Sequence, residues 1–303
     1  MSAMPIPTPV IRDNKKIYRF PQPNHPISII EYTDQVFVNG ELYGSVRYLG
    51  QAVASLASFF LAATDDVCDN YAFTDQIFPS PQYLSVKAHL LLPFHLHIFR
   101  YITPELNSLV AINPNLASQI PTYSKTIYKR LATPLIVYRD NNTNYPFTAA
   151  EFVQQNIVPD FIRFHYIQQI ANQLFIRGEQ LANRAGFILA STKLEFAYCD
   201  SKIVLAGEPF DPLSSTYWEI AKTTTTKSSK FRPTFEQNEY RLSEWNQRRQ
   251  QRHRISLDPN RTPPYLKDSV NRTYSKIFFN LTGSPLIPNR QKINIEDAYR
   301  SIT

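Results

Sequence analysis

The sequence predicts a two-domain α+β protein, and three observations lead to this class. The chain has 303 residues, which is enough for one large domain or for two smaller ones around a sizeable core. Its composition is ordinary for a globular protein, with 43% hydrophobic and 19% charged residues. Strand-like segments dominate the first part of the chain, whereas strands and long helices mix in the rest, which is typical of α+β folds.

The N-terminal part of the chain contains one helical pattern among strand-like segments. Residues 49–63 carry apolar side chains at spacings of three and four, which predicts a helix. In segment 94–101, Phe94, Leu96 and Ile98 alternate with other residues and share one face of a predicted strand. The predicted strands of this part cover 16–18, 27–31, 36–38, 83–88 and 94–101.

Longer helices are predicted in the C-terminal part. Residues 160–185 carry apolar side chains at helical spacing and are followed by Gly186, which predicts a long helix with a glycine cap. The run of Thr, Ser and Lys at 223–229 predicts a flexible loop. Further helices are predicted at 149–156, 235–254 and 265–281, the last capped by Gly283, and strands at 135–138, 187–190, 194–198 and 202–206.

Charge and composition limit the classes of function. The formal net charge of +7 allows an anionic partner such as a nucleotide or a nucleic acid, and it is equally typical of a basic soluble surface. The chain has only 7 glycines and no P-loop or G-x-G-x-x-G pattern, which argues against a glycine-rich phosphate loop. Cys68 and Cys199 are the only cysteines, so a disulfide framework or a cysteine-based metal centre is not expected.

The N-terminus and the apolar segments argue against secretion and membrane insertion. The first residues are proline-rich and lack the basic start and apolar core of a secretory signal. The apolar segments 52–63 and 90–98 are shorter than the roughly 20 residues that a membrane helix needs. We therefore expect a cytoplasmic protein in a reducing compartment, without a membrane partner.

Two segments carry a family resemblance. Residues 186–196, GFILASTKLEF, resemble the motif G-x-I-L-x-D-x-K-x-E-F of the SAICAR synthetase family. Residues 204–218, VLAGEPFDPLSSTYW, are similar to the family pattern V-L-x-D-E-x-x-[TS]-P-D-[SG]-S-R-x-W. Segments 235–245 and 267–283 resemble the helices that follow, and 15–32 resembles the opening hairpin more loosely.

The resemblance implies a fold and an activity. The fold would be a small N-terminal antiparallel β domain over 1–90, resembling a kinase or ATP-grasp lobe, and a larger α+β domain over 91–303. The activity would be an ATP-dependent ligation in purine biosynthesis, which joins aspartate to a carboxylated aminoimidazole ribotide. ATP and magnesium are the cofactors that the resemblance implies, and a nucleotide or ribotide is the implied small-molecule partner.

Several residues stand where the family has functional side chains. The resemblance implies catalytic roles for Lys193, Glu195 and Glu208, with Glu208 also a metal ligand. It implies nucleotide contacts by Lys15, Lys87 and Glu195. It implies substrate contacts by Arg100, Ser108, Arg139, Ser214 and Ser215. Three alternatives stay open: Lys15 as a solvated hairpin lysine, Lys193 and Glu195 as a cross-strand surface pair, and Arg100 in a structural salt bridge.

Other motif positions have lost the expected chemistry. Ser191 stands for the aspartate of D-x-K-x-E, and Thr216 for the arginine of S-S-R, which a threonine cannot replace as a carboxylate ligand. We assign the aspartate of the D-E pair to Glu208 and its glutamate to Pro209. Further losses fall on Asp13, Asn144 and Tyr145, where the family has a lysine, a histidine and an aspartate.

Three hypotheses follow from this pattern. The favoured one is a diverged member of the family that keeps a nucleotide cleft with altered or lost ligase chemistry, because a cooperating site loses function as a unit. An active ligase is the first alternative. The second is a nucleic-acid-binding or protein-interaction module that uses the basic cluster Arg248, Arg249, Arg252 and Arg254. The oligomeric state stays open.

Overall fold

The computed structural model describes most of the chain, in eight stretches. These are residues 6–20, 27–38, 41–73, 81–121, 123–155, 161–220, 264–289 and 294–301. The predicted loop 223–229, the predicted helix 235–254 and the arginine cluster at 248–254 lie outside the described residues. Among the helices that are described, none has the length and apolar character required to cross a bilayer.

An antiparallel four-stranded sheet forms the N-terminal layer. Its elements and those beside it are β1 (Val10–Arg12), β2 (Lys15–Phe20), β3 (Ile27–Tyr32), β4 (Gln35–Val38), β5 (Glu41–Ser45), α1 (Leu49–Ala63) and β6 (Tyr83–Lys87). The strand order in the sheet is β1-β2-β3-β6, and β4 and β5 form a separate hairpin. Side chains alternate between the two faces of β2, so Lys15 and Ile17 share one face, while Lys16 and Tyr18 share the other.

A larger antiparallel sheet forms the second layer. Its elements and those around it are β7 (Leu90–Tyr101), α2 (Pro104–Ile112), α3 (Asn115–Ser118), β8 (Arg130–Asp140), β9 (Pro146–Phe147), α4 (Ala149–Gln154), α5 (Phe161–Arg184), β10 (Phe187–Cys199), β11 (Lys202–Ala206), β12 (Thr216–Glu219), α6 (Pro264–Thr282) and α7 (Ile295–Arg300). The strand order is β11-β10-β7-β8-β9, and β12 pairs with the first half of β10. The observed class is therefore α+β, as the sequence predicts.

Most predicted elements are confirmed, and one prediction is wrong. The helix 49–63 is confirmed, as are the glycine caps, since Gly186 and Gly283 have φ of +80° and +72° at the ends of α5 and α6. The two strands predicted at 187–190 and 194–198 are one continuous strand, β10. The polar residues between them stay in the ladder because β7 pairs with each, for example Thr192 with Ile98.

The C-terminal end of the chain packs against the N-terminal layer. The ring of Tyr299 in α7 stacks on Phe20 of β2, with ring centroids 4.0 Å apart. Ala298 is fully buried in the same apolar cluster as Tyr18 and Ile29. A second cluster runs continuously from Ile17 in β2 to residues of α6, so apolar contacts join both layers. The predicted domain boundary at residue 90 falls on the first residue of β7, and the division into two domains remains a prediction.

Candidate functional site

A cleft of about 530 Å³ opens between β2 and β3 of the first layer and β10 of the second. Its wall combines charged and polar side chains with apolar side chains. The polar residues are Arg12, Asp13, Asn14, Lys15, Gln35, Tyr71, His89, His95, Asn141, Asn144, Lys193, Glu195, Glu208, Asp211 and Tyr274. The apolar residues include Ile17, Ile30, Val53, Leu91 and Leu213.

Lys15 and Glu208 connect the two layers across this cleft. The ammonium of Lys15 donates to Oε2 of Glu208 at 2.6 Å, and the hydroxyl of Tyr32 donates to Oε1 at 2.6 Å. Lys15 and Tyr32 are paired neighbours on β2 and β3, whereas Glu208 follows the end of β11. Both oxygens of one carboxylate are therefore held by the opposite layer.

Lys193 and Glu195 lie two residues apart on β10 and both line the cleft. Gly207 leaves room for the Glu195 carboxylate. It has φ of +69°, and a Cβ atom there would lie 2.6 Å from Oε2 of Glu195. Glycine at this position therefore sets the space that the Glu195 carboxylate occupies in the cleft.

The protonation states of the cleft follow from burial and neighbouring charge. Burial disfavours the ammonium of Lys15, but the carboxylates of Glu208 and Glu195 outweigh burial, so the pKa of Lys15 is raised. Burial, together with the Glu208 charge, raises the pKa of Tyr32 and of Tyr71 well above the ordinary value. Near neutral pH, the cleft therefore holds the charged Lys15 and the neutral phenol of Tyr71, and the phenol of Tyr32 that donates to Glu208 is also neutral.

Asp211 is a buried carboxyl group in the wall of the cleft. It accepts hydrogen bonds from the Tyr274 hydroxyl at 2.6 Å and from the backbone N–H groups of Leu213 and Ser214 at 2.9 and 3.3 Å. Burial nevertheless raises the pKa of Asp211 to about 6, and the charge of Glu208 acts in the same direction. The contact with Tyr274 also ties α6 to the cleft.

We expect Asp211→Asn to change the pH dependence of stability. A carboxyl group with a raised pKa in the folded state stabilises the protein at low pH, and this contribution is lost as pH rises through about 6. The variant should therefore gain roughly 2 to 3 kcal/mol relative to wild type between pH 3.5 and pH 7. Urea unfolding at several pH values measures this difference. Asp200→Asn, in an exposed turn, is the control, and an offset that does not vary with pH would contradict the expectation.

The predicted site residues separate into two groups. Lys15, Lys193, Glu195 and Glu208 meet in the cleft. The other predicted site residues that the structure describes do not line it. Lys87 lies at the end of β6, with its ammonium 5.9 Å from the centre of the Phe73 ring. Its predicted nucleotide contact has no support in this geometry and stays a prediction.

Arg100 forms the salt bridge that the sequence left open as an alternative. Its Nε and Nη2 atoms donate to the two carboxylate oxygens of Glu179 in α5, at 2.9 and 2.7 Å. The arginine is only 8% exposed and also lies over the ring of Phe175. A bidentate, buried pair of this kind binds α5 to β7. Its predicted substrate contact is therefore without geometric support here.

The remaining predicted substrate residues are held by the fold. Ser108 donates to the carbonyl of Pro104 within α2, and Arg139 is buried on β8 in register with His95. Ser214 donates through its hydroxyl to the carbonyl of Asp211. Ser215 shares a hydrogen bond of 2.7 Å with Thr192. Their predicted roles stay predictions.

Two pairs of buried hydroxyl groups connect β10 to the segment that leads into β12. The Ser191 hydroxyl donates to Oγ1 of Thr216 at 3.1 Å, next to the pair of Thr192 and Ser215. All four side chains are at most 4% exposed. Ser191 and Thr216 stand where the resemblance has an aspartate and an arginine, so a neutral pair replaces two opposite charges at adjoining positions.

The second motif keeps its glutamate and loses its aspartate, so the assignment of Glu208 to the aspartate is wrong. Segment 204–218 and the family pattern have equal length, so the glutamate of the D-E pair falls on Glu208 and the aspartate on Gly207. Pro209 then stands at an unspecified position. Glu208 therefore retains the family residue, and the lost carboxylate is the one at Gly207, whose place is taken up by the carboxylate of Glu195.

The sequence did not indicate several residues that line the cleft or bind its carboxylates. Tyr32 could have been found, because it lies two residues after Ile30 on the same face of β3. Tyr274 shares its helix face with Val270 and Ile277, which signals burial but not contact with a carboxylate. The spacing of His95 and His97, two residues apart on one predicted strand, is one that some metal sites use. His97 is instead fully buried beside Phe99, and the described residues contain no group of three side chains that could hold a metal.

Comparisons with known sequences find the same family. The sequence model of the family described as SAICAR synthetase matches residues 13–252. A putative phosphoribosylaminoimidazole-succinocarboxamide synthase 2 from Mesorhizobium japonicum is 24% identical over 284 residues, which cover 90% of this chain and 88% of that protein. A protein of the same name from Agrobacterium fabrum is 25% identical over 218 residues, covering 69% of this chain and 66% of that protein.

Comparisons with solved structures establish the fold. SAICAR synthase from Saccharomyces cerevisiae, in a complex with SAICAR, matches with a TM-score of 0.72 at 18% identity, over 94% of this chain and 97% of that one. A type-2 SAICAR synthetase in a complex with ADP matches with a TM-score of 0.62 at 15% identity, over 92% and 99%. The fold, the motifs and the match over 13–252 agree, and the chain belongs to the SAICAR synthetase family.

Proposed function

We propose that this chain binds a nucleotide in the cleft, as its magnesium complex, and that its ligase chemistry is altered or lost. The observation that carries the proposal is the contrast within one strand. Lys193 and Glu195 of β10 line the cleft, whereas Ser191 of the same strand is closed off in a neutral pair with Thr216. The cleft keeps groups suited to a nucleotide, while charges that the family motif carries nearby are gone.

The cations of the cleft suit the phosphates of a nucleotide. Lys15 and Lys193 come from opposite layers, and Arg12 lines the same cleft. Lys15 is held by Glu208, so a phosphate would compete with that carboxylate for the ammonium. Binding of a negatively charged ligand should therefore weaken the contact between Lys15 and Glu208. An ADP complex of a structural neighbour supports a nucleotide as the ligand.

Magnesium fits the carboxylates that face these cations. Magnesium in nucleotide sites is usually held by one or two carboxylates together with phosphate oxygens, and it neutralises phosphate charge. Glu195 and Glu208 would be the two protein ligands. The donor set matches this requirement, because both are carboxylates in one cleft and neither is fully buried.

Altered ligase chemistry follows from the lost charges. An arginine fork that binds a carboxylate cannot be replaced by Thr216, which is neutral and 4% exposed. Loss of one oxyanion or phosphate contact typically costs about 10²–10³ in rate. Since Ser191, Gly207 and Thr216 all depart from the motif, the losses act on one cooperating site. Turnover of aspartate should therefore be far slower than in an unaltered site.

Lys15→Met and Lys16→Met test nucleotide binding as a matched pair. The two lysines are adjacent on β2, but Lys15 lines the cleft whereas Lys16 pairs with Glu31 at 3.1 Å on the opposite face. ATP with magnesium at 100 times its Kd should stabilise wild type and Lys16→Met by about 2.7 kcal/mol in thermal unfolding. A 100-fold loss of affinity in Lys15→Met would reduce this to about 0.4 kcal/mol.

Three outcomes would contradict the proposal. Equal stabilisation of both lysine variants by ATP would place the nucleotide away from Lys15. Rapid formation of the succinocarboxamide product from ATP, aspartate and the carboxylated ribotide would establish an active ligase instead. A response to RNA or DNA that falls with salt, without a response to ATP, would favour a basic binding module.

A further inference from the structure

One carboxylate in the wall of the cleft is held by two donors from paired strands. Lys15 of β2 and Tyr32 of β3 are direct cross-strand partners, so their side chains share one face of the sheet. The ammonium of Lys15 donates to Oε2 of Glu208 and the hydroxyl of Tyr32 donates to Oε1, each at 2.6 Å. Short hydrogen bonds to a carboxylate are charge-assisted, and two of them fix its orientation. The plane of the Glu208 carboxylate is therefore set by the pairing of β2 with β3.

The two donors differ in their access to a ligand. Lys15 lines the cleft and its side chain is 21% exposed, so a phosphate can draw its ammonium away from Oε2. Tyr32 is only 2% exposed and lies behind the residues that line the cleft. Its backbone N–H donates to the carbonyl of Gln82 at 2.9 Å, which holds the residue in the sheet. The phenol can therefore keep its contact with Oε1 of Glu208 after Lys15 has moved to a phosphate.

We propose that Tyr32 is a positioning residue, whose hydroxyl keeps the Glu208 carboxylate in the orientation in which that carboxylate binds the magnesium of the nucleotide complex. This inference rests on the proposed nucleotide-binding function, in which Glu208 is a magnesium ligand. Loss of a hydrogen-bond donor to a ligating carboxylate typically costs roughly 10-fold to 100-fold in metal affinity. Tyr32 thus acts on the binding of the metal, whereas Lys15 acts on the binding of the phosphates.

The opposite face of the same sheet provides a matched control. There the carboxylate of Glu31 accepts from the Lys16 ammonium at 3.1 Å and from the Tyr18 hydroxyl at 2.9 Å. Tyr18 is 7% exposed, so it is buried nearly as deeply as Tyr32. Glu31 does not line the cleft. Tyr32→Phe and Tyr18→Phe therefore remove the same hydroxyl from the same kind of contact among a lysine, a tyrosine and a carboxylate, once beside the cleft and once away from it.

Calorimetric titration with ATP, once with magnesium and once with a chelator, measures the gain in affinity that magnesium provides. We expect Tyr32→Phe to lower this gain roughly 10-fold to 100-fold, because the Glu208 carboxylate loses its fixed orientation. Binding of ATP with the chelator should stay like wild type, and Tyr18→Phe should match wild type in both titrations. In a Glu208→Gln background, which lacks the ligating carboxylate, Tyr32→Phe should have no further effect on the gain.

A failure of this inference differs from a failure of the function it rests on. If Tyr32→Phe keeps the wild-type gain from magnesium, or weakens ATP binding equally with magnesium and with the chelator, the positioning role is refuted and nucleotide binding stands. If Tyr32→Phe still lowers the gain in the Glu208→Gln background, Tyr32 does not act through Glu208 and the inference is refuted. If ATP with magnesium does not bind wild type, the proposed function fails and the inference fails with it.

Discussion

Ser191→Asp alone should destabilise the protein by about 3–5 kcal/mol, which is the cost of an uncompensated buried charge. Ser191 has no exposed surface, and its hydroxyl is satisfied by Thr216 at 3.1 Å. A carboxylate there would lose its hydration and gain only a hydroxyl donor. The aspartate of the family motif is therefore expected to destabilise this chain unless the motif's arginine is restored as well.

Thr216→Arg supplies that partner and completes a double-mutant cycle. Ser191 and Thr216 are paired in register on β10 and β12, so an aspartate and an arginine would face each other directly. Each single variant should be strongly destabilised, and the double variant should recover at least about 2 kcal/mol of the summed loss. Urea unfolding of the four proteins gives the coupling energy.

A serine-to-aspartate change at an exposed position is the control for this cycle. Ser201→Asp introduces the same carboxylate in the exposed turn between β10 and β11 and should change stability by less than about 0.5 kcal/mol. A coupling energy near zero, or a Ser191→Asp variant as stable as Ser201→Asp, would show that Ser191 is not enclosed as the structure has it. If Ser191→Asp does not fold at all, a cycle of Ser191→Ala and Thr216→Val measures the coupling energy of the native hydroxyl pair, which also requires Ser191 and Thr216 to face each other.

The sequence predicts the fold better than the contacts of the cleft. Helix 49–63 and the strands around Lys15 and Lys193 follow from apolar periodicity, which depends on local spacing alone. The split of β10 was a wrong prediction because Ser191, Thr192 and Lys193 look like a polar break, whereas pairing with β7 and β12 satisfies them within the sheet. Local pattern cannot report such long-range pairing.

In the candidate site, too, the sequence predicts some residues correctly and cannot predict the contacts of others. Motif spacing led to Lys193, Glu195 and Glu208, which do share the cleft. Motif spacing also led to Arg100, whose bidentate contact with Glu179 joins residues 79 positions apart. An arginine in a strand has the same local pattern whether it meets a ligand or a helix. Only the packing of α5 distinguishes the two cases. Contacts between side chains of different helices and strands must therefore be read from the structure.

Gly50→Ala should cost about 3 kcal/mol, at the upper end of the typical range for overpacking. A Cβ atom at Gly50 would lie 2.3 Å from the carbonyl oxygen of Tyr32 and 2.8 Å from its carbon. These are backbone atoms of a sheet strand, so they cannot rotate away as a side chain would. Alanine favours a helix over glycine by only about 1 kcal/mol, so the clash decides the sign.

The position of Gly50 also links the packing of α1 to the cleft. The backbone N–H of Gly50 donates to Oδ1 of Asp34 at 3.0 Å, which fixes the start of α1 to the turn that follows β3. Displacement of α1 would move Tyr32, whose hydroxyl holds Glu208 at 2.6 Å. We therefore expect Gly50→Ala to lower both the free energy of unfolding and the affinity for ATP with magnesium, measured by urea unfolding and calorimetric titration.

Ser55→Ala is the control on the same helix, because Ser55 is half-buried and the change alters helix composition without a backbone clash. It should leave both quantities within about 0.5 kcal/mol of wild type. A Gly50→Ala protein as stable as this control would mean that α1 can move away from β3 at no cost. Loss of stability without any loss of ATP affinity would break the proposed link from Gly50 through Tyr32 to Glu208, because the strand would then yield without displacing the carboxylate.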